Sequence, residues 1–108
     1  MKISTTEEFE QLKNGQDMFL LYLNNDTCSI GENVEPKVKA LFQSNFPEIQ
    51  FVNINTDESQ VLNGKLNYSD PPTVIFFIEG KEYLRKSRAF GIEELKNEVK
   101  RLYDLFLK

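Results

Sequence analysis

Met18-Phe19-Leu20-Leu21-Tyr22-Leu23-Asn24-Asn25-Asp26-Thr27-Cys28-Ser29-Ile30-Gly31 is the stretch on which the fold turns. Its first six residues are apolar without interruption, which suits a short strand covered by helices on both faces. Residues 24–27 then form a polar turn. Beyond it Val34, Val38, Leu41 and Phe42 recur at helical spacing down to about Asn45. Cys28 therefore stands where a central strand gives way to a helix. Pro36 falls inside the helical pattern, where its ring and missing N–H predict a kink.

Upstream, Ser4, Thr5 and Thr6 are cap residues for a helix that continues through Glu7, Phe9 and Leu12 and closes at Asn14-Gly15. Downstream, Gln50-Phe51-Val52-Asn53-Ile54-Asn55 alternates apolar and polar as a strand does. Thr56-Asp57-Glu58 is then expected to cap a short helix carrying Val61 and Leu62. Strand, helix, strand in this order favours parallel pairing. Thr73-Val74-Ile75-Phe76-Phe77-Ile78 is rich in β-branched and aromatic residues, and Glu79-Gly80-Lys81 turns it into a strand over residues 82–88, a hairpin at the end of the sheet. From Ile92 the apolar positions Leu95, Val99, Leu102, Tyr103 and Phe106 mark one face of a terminal helix. With a short strand near Lys2, the order describes an α/β fold: a mixed central sheet with helices on both faces, in one domain spanning residues 1–108.

Composition narrows the function. The chain has 108 residues, 40% hydrophobic and 28% charged, with five glycines and four prolines, a soluble globular mixture able to bury a core. A net charge of -4 argues against nucleic acid, whose affinity rests on lysine and arginine neutralising phosphates. The first eight residues carry no apolar core of signal-peptide length and no run approaches the length of a membrane span, so the cytoplasm is the expected location, with no membrane partner. One cysteine excludes an internal disulfide, and the absence of histidine removes the commonest metal ligand and general base. Neither a metal nor a cofactor is implied. The oxygens of Asn53–Asp57 lack the spacing of a calcium loop.

The chain resembles the thioredoxin family. The features that carry the resemblance are the polar turn into Cys28-Ser29-Ile30-Gly31, Pro36 eight residues after the cysteine, and Pro72-Thr73 at the head of an apolar strand. Asp57 and Gly80 also stand where the family places an Asp and a Gly. The resemblance covers nearly the full length and implies the thioredoxin fold. It also implies a cis bond at Pro72, which would bring the 70–73 loop beside the sulfur as a groove for an extended partner chain. Chemistry gives the arrangement its own sense: a thiol at a helix N-terminus faces unpaired N–H groups and the positive end of the helix dipole, which favour thiolate over thiol. Asp26, Glu32 and Glu35 bring opposing negative charge.

The departures from the family matter as much. Gly31 replaces the second cysteine, so a mixed disulfide formed at Cys28 must await an external thiol. Thr27 replaces an aromatic residue, Tyr22 replaces a buried acid, and Asn53 replaces the lysine that accompanies it. Pro71 has no N–H to offer a bound peptide, and a hydrogen bond of that kind contributes ~0.5–1.5 kcal/mol net. The catalytic candidate is thus Cys28, with Thr27, Ser29, Ile30, Gly31, Pro71 and Pro72 as substrate-binding residues. The expected activity is monothiol disulfide exchange by a monomer acting on protein thiols or disulfides and on a low-molecular-weight thiol. A redox-inactive binding module using the same groove is the alternative. Phe76, Phe77, Phe90, Tyr103 and Phe106 are read as core, and the charges of residues 81–88 as protection of an edge strand.

Overall fold

The computed structural model describes residues 1–107. Along the chain it contains β1 (Lys2–Ile3), α1 (Thr6–Gly15), β2 (Met18–Asn24), α2 (Ser29–Asn45), β3 (Gln50–Asn55), α3 (Gln60–Lys65), β4 (Thr73–Ile78), β5 (Lys81–Ser87) and α4 (Ile92–Leu107). The strands form one sheet in the order β1-β3-β2-β4-β5. β1 and β2 run parallel to β3, whereas β4 runs antiparallel to both β2 and β5. The mixed sheet follows from the connections: α2 is a long crossover that returns the chain parallel, while the two-residue turn Glu79-Gly80 reverses it. Gly80 takes φ +79° there, a conformation open to glycine at no steric cost.

The uninterrupted apolar run of β2 is explained by its central place. Met18, Leu20 and Tyr22 point to one face, where they pack with Val38, Phe42, Phe46, Leu95 and Val99. Phe19, Leu21 and Leu23 point to the other, against Phe9, Leu12, Leu62 and Ile75. α2 and α4 cover the first face, α1 and α3 the second, and each fully buried Leu or Phe contributes ~1.5–3 kcal/mol through removal from water. Phe76 and Phe77 are buried, while Phe90, Tyr103 and Phe106 pack at the core edge.

Three local readings needed correction. Thr56–Glu58 is a separate 3-10 turn, capped by the side chain of Asn55, and the α3 cap position falls to Ser59, which makes no side-chain cap bond. Of the two apolar residues of α3, Leu62 is buried but Val61 is 80% exposed, because a six-residue helix presents a single turn's face to the core. The last strand is Lys81–Ser87, so Arg88 lies beyond it. Pro36 lies within α2 without ending it. Only the Glu32 carbonyl loses its helical donor, and both residues are exposed, so water can serve it.

Candidate functional site: the tip of α2 and the proline turn

Cys28 is the N-cap of α2. Its backbone is extended (φ -89°, ψ 96°), its carbonyl accepts from the Glu32 N–H at 3.1 Å, and its Sγ accepts from the Gly31 N–H at 3.4 Å. The sulfur thus does what a serine or aspartate oxygen does at most caps, taking one of the helix's orphan donors. The residue is partly exposed and its thiol is free. Thr27, Ser29 and Ile30 are exposed around it, with Ile30 65% accessible, whereas Gly31 is buried.

Side chains from β3 and its exit hold the turn that delivers Cys28. Asn55 Nδ2 donates to Asp26 Oδ1 at 3.1 Å and Thr56 Oγ1 donates to the Asn24 carbonyl at 3.4 Å, while within the turn itself Thr27 Oγ1 donates to Asn25 Oδ1 at 3.2 Å. Because β2 and β3 end in register, with Asn24 opposite Asn55, the short side chains of Asn55 and Thr56 reach across one strand spacing.

Below the helix tip, Tyr22 does structural work that no sequence signal specified. Its buried hydroxyl donates to the Gly31 carbonyl at 2.6 Å, tying β2 to the first turn of α2. Burial, with the charges of Glu35 and Cys28 adding to it, holds the phenol far above its ordinary range, so it remains a neutral donor.

Gly31 is enclosed by Asn24. A Cβ built on Gly31 would lie 2.1 Å from Asn24 Oδ1, 2.4 Å from Cγ and 2.7 Å from Nδ2, all inside contact distance. The Asn24 amide therefore occupies the space into which a side chain at position 31 would grow. Its Oδ1 is buried without a hydrogen-bond partner. Glycine in the first turn of a helix was the available signal, but nothing in the sequence named its neighbour.

The proline turn lies at the same end of the sheet. Leu23 pairs with Thr73 across β2 and β4, so Pro71 and Pro72 precede β4 where Asn24 leaves β2 for Cys28. The Pro71-Pro72 peptide bond is cis. Thr73 Oγ1 donates to the Asp70 carbonyl at 2.5 Å and contacts Ser87 Oγ at 3.2 Å, while the Arg88 N–H donates to the Pro72 carbonyl at 2.8 Å. Pro72 is buried and Pro71 half-buried. Cys28, Ser29, Ile30 and Gly31 thus share one helix tip, and the two prolines occupy the neighbouring strand end.

A five-stranded mixed sheet between two helical layers, with one thiol capping the helix that follows the central strand, defines a thioredoxin-fold protein carrying a single cysteine at the helix tip. The comparisons agree. The thioredoxin family model matches residues 1–101, and the chain belongs to the thioredoxin family. A thioredoxin-like protein of Bacillus subtilis, YdfQ, is 29% identical over 86 residues, which is 80% of this chain and 76% of that protein. Fasciola hepatica thioredoxin superposes with a TM-score of 0.84 at 26% identity, covering 93% of this chain and 96% of that one. A Halobacterium salinarum thioredoxin variant gives 0.83 at 20% identity over 94% and 88% of the two chains. Among the described residues no helix is long and apolar enough to cross a membrane. Membership supports thiol redox function in general terms.

Proposed function

We propose that this chain exchanges disulfides through Cys28 alone, as a monothiol disulfide oxidoreductase of the cytoplasm that acts as a monomer in cell redox homeostasis. The Cys28 thiolate attacks a disulfide sulfur, the S–S bond breaks, and a mixed disulfide forms at Sγ while the other half leaves as a thiolate. No second thiol stands in the chain to release it, so an external thiol, low-molecular-weight or on a protein, completes the cycle. Thr27, Ser29, Ile30 and Gly31 on the helix tip and Pro71 and Pro72 on the facing turn frame the sulfur and contact the substrate.

The observation that carries this reading is the pairing of a partly exposed cap thiol with an Asn24 amide filling the space beside Gly31. The tip accommodates one sulfur and is packed against a second. A buried tyrosine in place of a proton-exchanging acid agrees with it, since proton transfer to a resolving thiol is not required.

Two observations favour a second reading, a redox-inactive protein-binding module. Pro71 offers no N–H to a bound strand, and Ile30 presents apolar surface beside the thiol. The readings separate in one experiment. Incubation with a protein–small-thiol mixed disulfide, followed by intact mass measurement, should give an adduct on the wild type and none on Cys28→Ser. The adduct should persist until an external thiol is added. A folded wild type that acquires no adduct would leave the binding module as the better account.

A further inference from the structure

Acidic residues stand on the α2 side of the site and one, Asp70, on the proline turn itself. Asp26, Glu32 and Glu35 lie on the turn and first turns of α2, and Asp70 precedes the prolines. The opposite flank is basic, and most of its charge is already engaged. Arg85 holds the Glu82 carboxylate and the Leu66 carbonyl, each at 2.8 Å. Lys86 holds Glu94 and Glu98, each at 2.7 Å. Arg88 makes no ion pair among the described residues and is exposed. It adopts φ +61°, a left-handed conformation that costs a residue with a side chain roughly 1–2 kcal/mol and glycine nothing. Its N–H holds the Pro72 carbonyl at 2.8 Å. An arginine thus sits, at some conformational cost, on the residue that fastens β5 to the proline turn.

We propose that Arg88 selects the substrate, binding a carboxylate on a small disulfide whose sulfur is attacked by Cys28; this rests on the monothiol reading above. The register supplies the geometry. Leu23, Thr73 and Ser87 form one row across β2, β4 and β5, so the strand ends leading to Cys28 and to Arg88 are two spacings apart, ~10 Å. A disulfide with a carboxylate a few bonds from its sulfur spans that gap once the arginine side chain extends toward it. The acids on the α2 flank push such a carboxylate toward Arg88. The missing N–H of Pro71 disfavours an extended peptide on the same turn, which leaves a small charged thiol as the better occupant.

In the step itself the Cys28 thiolate displaces one half of the disulfide. The Cys28–substrate S–S bond forms as the original S–S bond breaks, the released thiolate takes a proton from solvent, and no net oxidant is consumed.

The test compares adduct formation by intact mass with two disulfides, neutral bis(2-hydroxyethyl) disulfide and doubly carboxylated dithiodipropionate. Relative to wild type, Arg88→Gln should lower the ratio of anionic to neutral rate by about fivefold, the magnitude of one exposed charge-assisted contact. Arg88→Lys should restore part of it, and high salt should bring the wild-type ratio toward that of Arg88→Gln. An unchanged ratio in Arg88→Gln, with both proteins reacting normally with the neutral disulfide, would overturn the role of Arg88 and leave the monothiol reading standing. Failure of wild type to react with either disulfide would remove both.

Discussion

Replacing Gly31 with alanine should destabilise the protein, and the same replacement should stabilise it once Asn24 is also alanine. The new Cβ would lie 2.1–2.7 Å from three atoms of the Asn24 amide, which must rotate out of its place. Overpacking of this kind costs ~1–3 kcal/mol, whereas exchanging glycine for alanine in a helix gains up to ~1 kcal/mol, less in a first turn. The net effect with Asn24 present is a loss of about 1 kcal/mol by these magnitudes. Asn24→Ala should itself cost within ~0.5 kcal/mol, because its Oδ1 makes no hydrogen bond. In that background only the helix gain remains, so the sign reverses and the coupling between the two sites is ~1–3 kcal/mol. Urea unfolding of the four proteins, with a common slope, measures it. A Gly31→Ala effect of the same sign and size in both backgrounds would refute the claim that Asn24 fills the space of a side chain at 31. Extended to Gly31→Cys, the same logic predicts that an internal disulfide to Cys28 forms readily only when Asn24 has been removed.

Tyr22→Phe deletes the buried bond to the Gly31 carbonyl and should cost ~0.5–1.5 kcal/mol in urea unfolding; no loss would show that the helix tip is held elsewhere. Cys28→Ser should leave stability within ~0.5 kcal/mol, because serine is itself a favoured cap, while abolishing adduct formation. Thr5→Ala breaks the capping box with Glu8 and should cost ~1 kcal/mol by thermal or urea unfolding. Glu8 is held below the ordinary carboxylate range by the backbone N–H groups of Ser4 and Thr5, so its contribution is present above its unfolded pKa and fades as acid protonates it through the lower folded value. The acid limb of a pH–stability curve should therefore shrink in Glu8→Gln, whose side chain does not titrate, and an unchanged limb would count against the box. Pro71→Ala supplies an N–H on the proline turn and should strengthen adduct formation with an extended peptide disulfide by up to about tenfold, with a small disulfide unaffected.

The architecture could be read from the sequence because its strongest signals are local and periodic. The six apolar residues of β2 demanded cover on two faces, and both helical layers supply it. The turn chemistry at Glu79-Gly80 and the apolar face of α4 likewise needed no tertiary knowledge. The cap position of Cys28 followed from the junction of strand and helix. What was hidden depends on pairs distant in sequence and on short side chains whose partners are not implied by pattern. Asn24 against Gly31, Tyr22 against the Gly31 carbonyl and Asn55 against Asp26 all arise from how β2, β3 and α2 meet. Thr56 looked like a helix cap because its residue type and spacing fit one, but its hydroxyl serves the Asn24 carbonyl. Arg88 passed as one more edge-strand charge, since a sequence does not display a positive φ on a residue other than glycine.

The account depends on a thiol that the fold keeps accessible at the tip of α2. Its most direct test is the rate at which iodoacetamide alkylates Cys28 in the native chain, compared with the same chain unfolded in urea at the same neutral pH. The account predicts that the folded protein reacts at least as fast. A folded protein that reacts more slowly than its unfolded form would contradict it.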